Sequence, residues 1–273
     1  MLNYFVENYF TDPNIKWRWM LGIGVIFPII YIIGLIFVPE SPLWEQNKKN
    51  NIHYRNTNSY YIQGRILFKW NMRLILFISF SIAFFQMACG VNSVIFYAPK
   101  VFDIAGFTSQ YSFLNSNLIG ICMVFMTFIS MALIDRIGRK PLLIIGSIIM
   151  ILSLLMVSIS FYTKLHSYFI LIGILCTVIG FAISLGPITW ILLSEVFPFN
   201  VKGLGISLAG VLNGITSFII TTLFPIELKY LGAGSTFLIY TIVMILCLIS
   251  IYLFYPETKG KDIKILEKEL IKA

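Results

Sequence analysis

The chain has 273 residues, of which 58% are hydrophobic and only 12% charged, with a mean hydropathy of +0.88 and a formal net charge of +8. That is more apolar surface than a soluble domain of this length can bury, so its natural solvent is lipid. The basic residues are divided among short loops and a tail with no continuous basic face, which sets nucleic-acid binding aside.

Met1 to Lys16 lacks the basic region and short apolar core of a secretory signal and reads as a loop tail. A membrane-crossing helix needs about 20 mostly apolar residues, because its backbone must bond internally across the hydrocarbon. Seven stretches qualify: Trp19 to Val38, Leu74 to Pro99, Tyr111 to Ile134, Leu142 to Tyr162, Tyr168 to Leu193, Leu204 to Pro225 and Thr236 to Tyr255. None contains Lys, Arg, Asp or Glu between those ends. The reading is an all-α, polytopic membrane protein. It has an N-terminal tail and single span (residues 1–42), a cytoplasmic linker (43–73), a six-helix bundle (74–255) and a cytoplasmic C-terminal tail (256–273). The linker is rich in Asn, Lys and Tyr and favours solvated structure. The later connections are short enough to make neighbouring spans antiparallel.

Orientation follows from the loop cations. Fifteen of the twenty Lys and Arg residues fall in the linker, in alternate later loops and in the tail; five, Lys16, Arg18, Lys100, Lys164 and Lys229, fall on the other side. The positive-inside rule then puts the C-terminus in the cytoplasm. Cys89, Cys122, Cys176 and Cys247 all lie inside spans without metal-ligand spacing and read as small core hydrophobes. No motif supports a metal or organic cofactor, and the spans lack the paired carboxylates or nucleophile and base that an intramembrane enzyme needs.

Five segments carry a family likeness: Pro39 to Trp44 (PESPLW), Gln86 to Pro99 (QMACGVNSVIFYAP), Asp135 to Lys140 (DRIGRK), Gly186 to Pro198 (GPITWILLSEVFP) and Pro256 to Gly260 (PETKG). In this order and spacing they resemble the sugar porter family of the major facilitator superfamily, most nearly bacterial proton-coupled hexose and pentose symporters. The resemblance implies the sixth span and the C-terminal six-helix bundle of a twelve-span fold. It also implies transport of a sugar (hexose or pentose), with protons as coupled partners, by alternating access in a plasma or inner membrane. The first bundle is then expected to be absent from this chain or separately encoded. The alternative is a non-transporting remnant of such a carrier.

A sugar is neutral and covered in hydroxyls, so its site needs neutral donors and acceptors beside an apolar face. By the resemblance, Gln86, Asn92, Trp190 and Asn213 bind substrate, and Tyr97 belongs to a gate. Gln86 and Asn92 are six residues apart and share no face of an ideal helix, so Gly90 between them is expected to permit a bend. Pro187 has no N–H, so the carbonyl of Ile183 loses its helical donor and a kink is expected beside Gly186. The plain alternatives are interhelical glue for the amides, worth about 0.6 kcal/mol on average in membranes, and interfacial anchoring for Tyr97.

Asp135, Arg136, Arg139, Glu195, Lys202 and Glu257 gather at cytoplasmic span ends, and the resemblance implies a charge latch that holds one state until the bundles rock. Simple enforcement of topology is the other role for these cations. The chain departs from the family pattern at Met87, Phe96, Met123 and Gly214, where relatives often carry Gln, Tyr, Asn and Trp. Those departures remove hydrogen bonds and a stacking surface.

Overall fold

The computed structural model describes residues 18–19, 22, 24–39, 64–198 and 201–260. The chain divides into two compact units, Met1–Ser59 and Tyr60–Ala273. The first contains helix α1, Ile26–Ile36. Pro28 sits in its first turn, where a missing N–H breaks no helical bond. Parts of the expected span Trp19 to Val38, and all of the segment Glu40 to Gln63, lie outside the described residues.

Among its described residues the second unit contains nine α-helices: α2 (Arg73–Ala88), α3 (Val91–Phe96), α4 (Ala98–Ile104), α5 (Ser109–Ile137), α6 (Arg139–Thr163), α7 (Ser167–Ile183), α8 (Leu185–Val196), α9 (Lys202–Tyr230) and α10 (Gly232–Phe254). No strand occurs among the described residues. Among the described residues six segments are long and apolar enough to cross a membrane: Trp70–Phe96, Leu114–Ile137, Arg139–Thr163, Ser167–Val196, Lys202–Tyr230 and Gly232–Phe254. They coincide with the last six stretches read from the sequence.

Two spans are broken, each where the sequence places a residue that disrupts the helix. Gly90 adopts φ +76 between α2 and α3, and a Cβ there would lie 2.8 Å from the Tyr240 ring. Left-handed backbone and a ring in van der Waals contact both require glycine at this position. The second break, at Ser184 (φ −118, ψ −94), separates α7 from α8 three residues before Pro187. Pro198 and Pro256 end α8 and α10, each forcing the residue before it, Phe197 and Tyr255, into an extended conformation.

One boundary differs from the sequence reading. Helix α9 runs through Pro225 to Tyr230, so Glu227 and Lys229 lie within it rather than in a loop. A single proline late in a membrane helix is tolerated when neighbouring groups satisfy the backbone it frees. Glu227 is held there by Tyr240, whose hydroxyl donates to Oε2 at 3.0 Å.

Helix α6 lies between α7 and α10, while α2 packs against α8, α9 and α10. Small residues set the α6–α7 approach. A Cβ on Gly146 would stand 2.8 Å from the carbonyl oxygen of Gly180, and one on Gly180 would stand 3.0 Å from that of Gly146. Close backbones gain dispersion contact in lipid, where no hydrophobic force drives helices together. Ser153 and Thr177 add a hydroxyl pair across the same seam at 2.8 Å. By contrast, only 17% of the most apolar window of α5 and 22% of that of α9 is buried, so these two helices turn most of their surface outward.

Candidate functional site

The polar centre of the bundle lies where the broken span meets α2 and α9. Gln86, 4% exposed, donates through Nε2 to the carbonyl oxygens of Leu185 at 3.1 Å and Gly186 at 3.0 Å. Its Oε1 accepts from Asn213 Nδ2 at 2.9 Å, and the same nitrogen donates to Ala83 O at 2.9 Å. Gln86 and Asn213, 127 residues apart, are thus one network joining α2, α8 and α9. Each amide nitrogen has spent both hydrogens on protein, whereas Gln86 Oε1 keeps a lone pair and neither bond of Asn213 uses Oδ1. What this pair retains for a ligand is acceptor capacity, suited to hydroxyl donors.

Trp190 stands one helical turn beyond Gly186, on the same face of α8, and is 46% exposed. Its indole offers a broad apolar surface and one donor. Asn92, half-buried on α3, donates through Nδ2 to Met87 Sδ at 2.9 Å. The thioether occupies the position where relatives often carry a second glutamine, and it is a weak acceptor. The left-handed backbone of Gly90 separates α3 from α2, and no described hydrogen bond joins Asn92 to Gln86. Tyr97 lies at the α3–α4 junction, with its ring centroid 5.6 Å from that of Phe224, and Phe224 stacks on Tyr240 at 6.2 Å. Gly186 and Pro187 are half-buried in the first turn of α8.

The expected charge cluster forms around Arg139. Its Nη2 meets Glu195 Oε1 at 3.0 Å and its Nη1 meets Asp135 Oδ1 at 3.5 Å. Glu257 accepts the backbone N–H groups of Arg139 at 3.1 Å, Lys140 at 3.0 Å and Lys259 at 2.8 Å. Thr258 Oγ1 donates to Glu195 Oε2 at 2.5 Å. Two expected members stand apart. Arg136 contributes only its carbonyl, to Lys259 Nζ at 2.6 Å, and no described ion pair or hydrogen bond joins Lys202 to the cluster. Lys202 opens α9, on a different helix end from Arg139.

Sequence reasoning missed Ser130 and Thr258. Thr258 lay in plain view within PETKG. Ser130 sits in an apolar run with no local signal, and its hydroxyl donates to Ile183 O at 2.8 Å. Among the described residues no three His, Cys, Asp or Glu side chains converge as metal ligands.

Comparison with known proteins adds the decisive observation: a family profile described as "Sugar (and other) transporter" matches residues 1–61 and 45–270. The chain belongs to the sugar porter family. Within that family, an arabinose-proton symporter of Bacillus subtilis is 32% identical over 94% of this chain and 60% of its own length. A galactose-proton symporter of Escherichia coli K12 is 30% identical over 94% of this chain and 61% of its own. The structure of the proton:xylose symporter XylE, solved with 6-bromo-6-deoxy-D-glucose, superposes with a TM-score of 0.81 at 26% identity, covering 98% of this chain and 62% of XylE. The chain therefore spans about three fifths of the length of these sugar porters, and its bundle has the major facilitator fold.

Proposed function

We propose that this chain provides one wall of a sugar carrier for a hexose or pentose, coupled to protons and working by alternating access. The observation that carries the reading is the uncharged Gln86–Asn213 pair, in which Gln86 binds the carbonyl of Gly186 one helical turn before a half-exposed Trp190, just past a break in a membrane helix. Oriented acceptors beside an indole face suit a ring of hydroxyls with an apolar underside. The symporter relatives support the substrate class and the proton. A carrier of this plan needs a second bundle facing this one, and the proposed partner is a first bundle, in the same polypeptide or separately encoded. The Arg139 cluster is then the cytoplasmic latch, in agreement with the loop cations.

A second reading, insertion without transport, draws on Met87 and Gly214. The thioether is a poor substitute for an amide, and Gly214 offers no stacking surface.

Uptake of radiolabelled hexoses and pentoses decides between them, in transporter-deficient cells expressing this chain alone and with a related first bundle, insertion being verified each time. Saturable uptake abolished by Gln86→Ala or Trp190→Ala supports the carrier. Its absence in both settings overturns that reading in favour of insertion without transport.

A further inference from the structure

Pro187 leaves the carbonyl of Ile183 without the N–H that a continuous helix would give it. A different helix supplies the replacement: Ser130 of α5, fully buried, donates its hydroxyl to Ile183 O at 2.8 Å. The helical ladder resumes at once, with Ile188 N donating to Ser184 O at 3.0 Å. Gln86 then holds the carbonyls of Leu185 and Gly186 from the side of α2. The break is thus gripped on both flanks, by a hydroxyl before it and an amide after it.

Ser130 had a local alternative. Ser116, Thr127, Thr216 and Thr241 each return their hydroxyl to the carbonyl four residues back in their own helix, at 2.7 to 2.8 Å. The corresponding acceptor for Ser130 is Met126 O, yet Ser130 reaches across to α7. It does so from a helix that is otherwise little embedded, with 17% of its most apolar window buried. A buried carbonyl with no donor would be costly, so this bond selects the bent geometry over others.

We propose that Ser130 is a positioning residue for the sugar site: its hydroxyl fixes the angle of the α7–α8 break and thereby the placement of Trp190 relative to Gln86. The effect on sugar binding rests on the function proposed above; the effect on Trp190 does not.

The test uses the full chain in lipid nanodiscs with Trp17, Trp19, Trp44 and Trp70 replaced by Phe, so that emission reports Trp190 alone. Ser130→Ala is expected to shift Trp190 emission and its quenching by acrylamide in the ligand-free protein, and to weaken hexose or pentose binding about tenfold. Ser130→Thr, which keeps the donor, restores both. In a Pro187→Ala background the new N–H can serve Ile183, and Ser130→Ala then has little further effect on either readout. Unchanged Trp190 emission and quenching in a helical Ser130→Ala protein overturns the proposal, as does an equal shift with and without Pro187. If Ser130→Ala fails to insert, Ser130→Cys, a weaker donor of similar size, takes its place with the same expected direction. If the unsubstituted protein binds no sugar even when a related first bundle is supplied, the transport reading fails while the quenching comparison still decides the role of Ser130.

Discussion

Glu257 reaches from the end of α10 to the start of α6, where its carboxylate accepts the backbone N–H of Arg139 at 3.1 Å. The next amide, that of Lys140, binds the other oxygen at 3.0 Å. The first N–H groups of a helix have no partner within it and carry partial positive charge, so a carboxylate satisfies and stabilises them together. A residue beyond the last span thus caps a helix that begins 118 positions earlier in the chain. Glu257→Ala is expected to lower stability by about 1 to 2 kcal/mol, with Glu257→Gln losing less. The thermal midpoint of purified protein measures this. Asp135→Ala serves as the contrast: its 3.5 Å contact is made by a side chain 81% exposed, and such pairs contribute about 0 to 1 kcal/mol.

The Gln86–Asn213 bond makes two substitutions interdependent. Either Gln86→Ala or Asn213→Ala strands buried polar groups and is expected to cost about 1 to 3 kcal/mol of stability. The double substitution should cost less than the sum, because the second change removes a partner already lost. Strict additivity in a denaturation series would show that the 2.9 Å contact contributes nothing.

At Gly90 two separate penalties can be measured. A Cβ would lie 2.8 to 2.9 Å from three atoms of the Tyr240 ring, and φ is +76. Gly90→Ala is expected to destabilise by about 1 to 2 kcal/mol from the backbone and by about 1 to 3 from overpacking. Combining it with Tyr240→Ala should relieve the steric part and leave the backbone part, which the thermal midpoints of the two variants separate.

Restoring family side chains tests the departures. Nothing lies within 4 Å of a Cβ built on Gly214, so Gly214→Trp is expected to insert without loss of stability and to add a stacking face. Met87→Gln would exchange the thioether that Asn92 now contacts at 2.9 Å for an amide with two donors and an acceptor. Under the carrier reading each should tighten sugar binding, Met87→Gln by about tenfold. Titration by equilibrium binding is the check, and no gain from either would show that these positions do not face the sugar.

The spans were legible because composition alone decides them: twenty apolar residues without a charge have few homes outside lipid. The bend at Gly90 and the break near Pro187 were also legible, since each follows from the backbone chemistry of one residue. What answers the break was not. Ser130 becomes meaningful only when α5 is laid against α7, and a hydroxyl in an apolar run gives no hint of whether it will bond its own helix or another. The charge cluster was partly legible. Arg139, Glu195 and Glu257 met, but Lys202 did not join them, because sharing an end of the bundle does not bring side chains into reach.

The break at Ser184 divides its span unequally in mechanical terms. Helix α7 is held to α6 through Gly146, Gly180 and the Ser153–Thr177 pair, and under the carrier reading any tilt of α8 against it would turn about Ser184. The twelve residues of α8 make an arm about 18 Å long, and a tilt of about 10° would carry its far end some 3 Å while moving Trp190 about half as far. Glu195 sits near that far end, paired with Arg139 at 3.0 Å. Under the carrier reading, a displacement that barely moves Trp190 would therefore already be large enough to part the ions.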